Sequence, residues 1–323
     1  MGGVRQTALG RRLAAEKVRP DNALLEKALF STASTNLAEL SFAGARATRA
    51  CFDRATAPKA DFSSAVLTEA TFIGTVINSS TFVTCTANKA DFSGAEASSA
   101  DFSEAVFTQA TFTGAFLIGC KFAKAKGHAS DFSAAKLSGA DFRCADLTEG
   151  TFTEANLHAS MFAKCEGTLA CFDTASAFQA DFTKASLRGA TFQACKAPEA
   201  IFTGADLAES NLAGADVQGS TFAECSAGAA CFDGVLGSRA DFTKADLTKS
   251  TFIKATVLTG RFVECTAVNA DFSRADVSTS DFSDTVVTQA TFAVTAGTTM
   301  TGCKLVSAKL CRATVCRRQD CSG

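Results

Sequence analysis

The chain has 323 residues, a net charge of −2 and a pI near 5.8, with 47% apolar and 20% charged residues. At roughly 100–200 residues per domain the length alone gives two domains, but 29 Phe beside no Trp and no Tyr point to a repeat instead of independent cores. The charge balance excludes a nucleic-acid-coating protein, which would be basic, and no segment reaches the ~18 consecutive apolar residues of a membrane span.

The first residues, MGGVRQTALGRRLAAEKV, lack the apolar centre of a signal peptide. Their arginines give a faint likeness to an organelle transit segment, against which stand Glu16 and the low Ser content. Gln6 sits where a myristoylation signal carries Ser or Thr. Thr7–Arg19 reads as a helix with Leu9 and Leu13 on its apolar side and Pro20 as a stop. Asp21 or Asn22 then caps a second helix over Ala23–Phe30. Residues 1–34 are therefore expected to be a helical cap on the rest of the chain, or a segment that docks a partner.

From about Thr35 a five-residue period takes over. Phe occupies every tenth position from 42 to 292, with Leu212 the one exception. Halfway between come Leu67, Ile77, Leu117, Leu137, Leu147, Leu157, Leu187, Leu207 and Leu247, mixed with Ala, Val or Gly, and one ring, Phe107. A small residue precedes each centre by two, as in Ala60-Asp61-Phe62-Ser63-Ser64 and Ala205-Asp206-Leu207-Ala208-Glu209. The pattern breaks near Ala296–Gly302 with three added residues, resumes at Cys303-Lys304-Leu305, and ends at Val315 before a short polar tail, 316–323. A period of five fits neither an amphipathic helix nor an ordinary strand.

The unit A-[D/T/C]-[F/L]-x-x resembles that of the pentapeptide repeat family, A-[D/N]-[L/F]-x-x, over nearly the whole chain. The resemblance implies an all-β fold, a right-handed quadrilateral β-helix with four repeats per 20-residue coil, spanning residues 35–315. Stacked at ~4.8 Å, about 13–14 coils would make a rod of roughly 65 Å. Residues ten apart would then face each other, so that Phe lines two opposite walls and smaller residues line the other two, as close packing of the bore demands. A two-coil period lies on top: no two Asp of the outward files fall on adjacent coils, which we read as spacing of like charge.

Cys85, Cys120, Cys165, Cys195, Cys225, Cys265 and Cys303 fall at the small inward position and read as free core thiols. Cys51, Cys144, Cys171 and Cys231 fall outward; Cys311, Cys316 and Cys321 crowd the tail, where a disulfide would signal an oxidising compartment. His128 and His158 lie on opposite walls and read as solvated. Neither metal-ligand spacing, a nucleophile elbow nor a nucleotide loop occurs. The expectation is a non-enzymatic protein with no cofactor and no metal.

Two functions compete. The first is a binding scaffold, assembly factor or accessory subunit of a larger complex, since solenoids work by contact. The resemblance adds a photosynthetic setting, with chloroplast or thylakoid lumen as location and cytoplasm as the alternative. The second, also from the resemblance, is imitation of duplex DNA toward a type II topoisomerase, as quinolone-resistance members do; the near balance of 31 basic and 33 acidic residues weighs against it. The partners expected are other proteins, with no nucleic acid and no direct membrane span. Val76, Phe116, Ile118, Phe178, Leu236 and Leu258 share one wall by the 20-residue count and form a candidate protein-binding strip. At the other end, Leu305, Leu310 and Val315 would lie under no lid, which makes them a candidate contact for a homodimer.

Overall fold

A computed structural model of the chain describes residues 20–31, 35–292 and 314–315. Within the described residues every five-residue repeat takes one conformation, and Ala60–Ser64 serves as the example. Ala60 and Phe62 are buried, Asp61 and Ser63 half-buried, and Ser64 exposed. The N–H of Ala65 closes a turn onto the Phe62 carbonyl at 3.1 Å. Ser64, third in that turn, has φ 56°, the sign that a type II turn requires there. Eleven such positions are Gly, while the rest hold side chains in the left-handed region at a cost on the order of 1 kcal/mol each. What offsets the cost is the next coil: the Ser64 N–H donates to Val83 O at 2.9 Å and the Phe62 N–H to Thr81 O at 2.7 Å.

The chain divides into two compact units, Met1–Met161 and Phe162–Gly323. In the first, parallel bridges join residues 20 apart from Asn36↔Thr56 to Asp141↔Met161, so four repeats close each coil. The helix expected over Ala23–Phe30 does not form. Those residues are two further repeats, Ala23-Leu24-Leu25 and Ala28-Leu29-Phe30, bridging Leu24↔Arg46 and Leu29↔Cys51 at a separation of 22. Two extra residues between Phe30 and Leu37 account for the altered separation. Leu25 and Phe30 are buried, and the Phe30 ring stacks on Phe52 at 4.7 Å. The reason is economy of backbone bonding: a helix here would leave the Arg46 and Cys51 carbonyls without the Leu25 and Phe30 N–H groups they accept. The helix expected over Thr7–Arg19 lies outside the described residues.

In the second unit the 20-residue register runs from Glu166↔Ser186 to Asp271↔Thr291. There β1 (Thr291–Phe292) pairs in parallel with β2 (Thr314–Val315) at a separation of 23, which matches the three residues added in the sequence.

Within each unit the rings do what the count of tens requires. Phe62 stacks on Phe82, one coil on, with centroids 4.9 Å apart and planes 8° apart, and meets Phe72 across the bore edge-on at 5.5 Å and 87°. In the second unit Phe242 and Phe262 stack at 5.0 Å and Phe242 meets Phe252 at 5.6 Å. Both arrangements suit the ring quadrupole, and each buried ring removes apolar surface worth roughly 1.5–3 kcal/mol. The extra ring, Phe107, is met by a missing side chain: a Cβ on Gly127, at the equivalent position one coil on, would lie 2.2 Å from the Phe107 Cε2 atom.

The Asp of the repeat has a structural duty beyond charge spacing. One N–H per repeat, that of the residue after the centre, donates to no backbone carbonyl, and the Asp two residues earlier accepts it: Ser63 to Asp61 at 2.9 Å, Thr183 to Asp181 at 2.8 Å. At Thr71, Thr191 and Thr251, where Thr replaces Asp, a carboxylate reaches over from the preceding coil. Asp53, Asp173 and Asp233, each following Cys-Phe, accept the N–H of Ile73, Gln193 and Ile253. The inward thiols are core groups: burial pushes Cys85, Cys120, Cys195, Cys225 and Cys265 up to about 12, while Cys144 is exposed at a corner.

Gly127→Leu should cost about 1–3 kcal/mol by overpacking, and Phe107→Ala in the same chain should recover much of the lost melting temperature; an undiminished loss in the double variant would show that the two sites are independent. Asp173→Ala should cost about 1 kcal/mol through the Gln193 N–H, whereas Asp173→Asn, which keeps the accepting oxygen, should melt close to wild type. Iodoacetamide at mildly alkaline pH should label Cys144 in the native chain and reach Cys85, Cys120, Cys195, Cys225 and Cys265 only after denaturation, as read by peptide mass mapping.

Candidate protein-binding surface

With the bore filled, the chemistry-bearing groups lie on the outer walls and corners. Many are paired along the files. Asp101 meets Lys121 at 3.5 Å and Glu104 meets Lys124 at 3.8 Å; in the second unit Asp241 meets Arg261 at 3.6 Å and Lys244 meets Glu264 at 3.8 Å. Asp141 binds the Arg143 guanidinium through both carboxylate oxygens. Burial raises its pKa, but the Arg143 hydrogen bonds and charge outweigh that and hold the carboxyl below its usual value. Its share of stability is thus present above the ordinary carboxylate pKa and lost as pH falls through the lowered one. His128 approaches Glu149 at 3.9 Å, and His158 is exposed. Among the described residues no three His, Cys, Asp or Glu gather where they could hold a metal ion.

The strip divides between the two units. In the first, the file Val76, Glu96, Phe116, Lys136 is joined by successive bridges. Phe116 is 39% exposed and Ile118, in the turn of the same repeat, 47%; Val76 is half-buried and separated from them by Glu96. In the second unit the file Ser176, Lys196, Asp216, Leu236, Thr256 carries Leu236, 47% exposed, with Leu258 half-buried on the adjoining coil. Phe178 is half-buried and lies three coils from Leu236 on that wall. The structure thus brings together Phe116 with Ile118 and Leu236 with Leu258, and puts charged residues between these pairs and the other two positions.

Two features escape the sequence reading. The Lys136 ammonium lies 4.2 Å from the centroid of the Phe116 ring, a cation–π contact, which the 20-residue spacing of the two residues could have revealed. Ile73, Leu169 and Ile201 are also exposed, on other parts of the surface. Of the C-terminal candidates, Leu305 and Leu310 lie outside the described residues, as do Cys303, Cys311, Cys316 and Cys321; the Val315 backbone pairs with Phe292.

Residues 88–126, 130–165, 185–222 and 200–236 match the family profile described as pentapeptide repeats, in eight copies. No curated protein matches the chain. Among solved structures, HetL, a pentapeptide repeat protein involved in heterocyst differentiation regulation from the cyanobacterium Nostoc sp. strain PCC 7120, is 21% identical over 66% of this chain and 88% of its own, with a TM-score of 0.48. QnrB1, a plasmid-mediated fluoroquinolone resistance protein, is 18% identical over 62% of this chain and 91% of its own, with a TM-score of 0.39. A pentapeptide repeat protein from the Arabidopsis thaliana thylakoid lumen is 34% identical over 31% of this chain and 67% of its own, with a TM-score of 0.25. With its five-residue repeat, its 20-residue coil register and its match to the family profile, this chain belongs to the pentapeptide-repeat family, whose members fold as right-handed quadrilateral β-helices.

Proposed function

We propose that the protein is a non-enzymatic binding scaffold, an assembly factor or accessory subunit that works by surface contact. The observation that carries this reading is the use of the interior. The centre and small positions of the described coils, from Phe42 to Phe292, are essentially wholly buried and packed ring on ring, so ligands meet only outward-facing side chains at strand spacing. Such a surface recognises other surfaces. Phe116 with Ile118, and Leu236 with Leu258, are the contact points on it. The setting belongs to the proposal too: a chloroplast or its thylakoid lumen, on the strength of the family resemblance.

Imitation of DNA has less in its favour. Lys121 and Arg261 interrupt the acidic files, and the carboxylates of Asp61, Asp91, Asp131 and Asp181 accept backbone N–H bonds of their own turns. DNA gyrase supercoiling should therefore be unchanged by the protein, with or without a quinolone.

The test of the scaffold reading is capture from a photosynthetic extract by the full chain and by a Phe116→Ser, Ile118→Ser, Leu236→Ser variant of equal melting temperature. A protein held by the wild type should be lost or held roughly ten- to a hundred-fold more weakly by the variant, the usual effect of removing interface anchors. Identical captured sets would sink the assignment of these residues.

A further inference from the structure

The Phe116 wall of the first unit is complementary to itself. Glu96 bridges to Phe116 from one adjoining coil and Lys136 from the other, so opposite charges stand on either side of the exposed Phe116 and Ile118. Four charged files of this unit pair between adjacent coils, through Arg49 with Glu69, Glu39 with Lys59, Asp101 with Lys121 and Glu104 with Lys124. Glu96 and Lys136 are two coils apart, about 10 Å at strand spacing, and neither has an ion pair among the described residues. The rim of this patch is low. Gly94 and Gly114 stand at one edge and Gly119 and Gly139 at the other, and a Cβ on Gly94, Gly114 or Gly139 would find nothing within 4 Å. A flat wall can therefore approach Phe116 and Ile118 without meeting corner side chains.

We infer that a second copy of this chain packs on this wall in antiparallel orientation, Phe116 against Phe116, with Glu96 of each copy against Lys136 of the other. A two-fold axis along the strand direction at the level of Phe116 brings this about, because it exchanges the coil before Phe116 with the coil after it. The parallel arrangement would set Glu96 against Glu96 and Lys136 against Lys136, which charge forbids. The Lys136 ammonium, already held over the Phe116 ring, is in place to meet the incoming carboxylate. The contact is narrow: one short strand wide and about five coils, or roughly 20–25 Å, long. It falls below the ~800 Å² per partner of a standard interface, so the association is weak, with a dissociation constant on the order of 0.1–1 mM, and it weakens further with salt.

This inference rests on the reading of the wall as a binding surface and names its occupant. Sedimentation equilibrium of the full chain up to roughly millimolar concentration at low salt tests it. Wild type should dimerise. Glu96→Lys alone and Lys136→Glu alone should each be monomeric, and an equimolar mixture of these two variants should recover the dimer, because each supplies the charge that the other lacks. Leu305→Glu, Leu310→Glu should leave the association unchanged. A monomeric wild type, or a dimer that survives both charge reversals, overturns the inference, and so does a mixture that stays monomeric. A monomeric wild type that still captures an extract protein through Phe116 and Ile118 would remove the second copy and keep the scaffold.

Discussion

Each five-residue side brings five N–H groups into the coil, and their disposal governs nearly everything else. One closes the turn, three join neighbouring coils, and the fifth points out at the corner, as Ala65, the trio Asp61, Phe62 and Ser64, and Ser63 illustrate. A backbone so committed leaves little latitude. The turn must be tight enough to bring the chain round in five residues, so the corner residue takes a positive φ even where it is Lys, Glu or Arg. The outgoing N–H calls for an acceptor two residues earlier, and Asp or Asn supplies it with the shortest reach. The composition of the repeat is the consequence of this arithmetic.

Volume is the second constraint. The backbone sets the coil spacing, and rings stacked at 4.5–5.1 Å fill it. Across the bore the same rings meet edge-on, and the two intervening walls must yield space. Where they add a ring, at Phe107, a neighbour loses its side chain altogether, at Gly127. A pocket for a small molecule would need several such deletions in one layer; here the deletion is matched by its cause.

The period, the inward positions and the opposition of the two Phe walls were legible because burial repeats every five residues without insertion over most of the chain. The beginning was not. Ala23-Leu24-Leu25-Glu26-Lys27-Ala28-Leu29-Phe30 satisfies a helical spacing as well as the repeat, and the two extra residues before Leu37 put it out of frame. The role of Asp was half legible: its alternation with Thr is visible along the outward files, but the reach of Asp53 or Asp173 onto the next coil emerges only from the turn geometry. In the candidate surface, counting by 20 gives the bridged file of each unit, Val76 to Lys136 in the first and Ser176 to Thr256 in the second. It could not tell that Val76, Phe178 and Leu258 sink between their neighbours while Phe116, Ile118 and Leu236 stand clear, because half-burial depends on the side chains one coil away.

A separation of 20 residues between bonded partners has a kinetic side. Loops of this length close at modest entropic cost, and every long-range bridge within a unit is of that order, so relative contact order is low for an all-β protein. Among the described residues no strand waits for a distant segment to be synthesised. Each coil finishes the edge left by the one before and exposes a fresh one, with its Phe rings uncovered, to the residues that come next. During translation the exposed apolar surface is therefore confined to a growing tip about one coil deep.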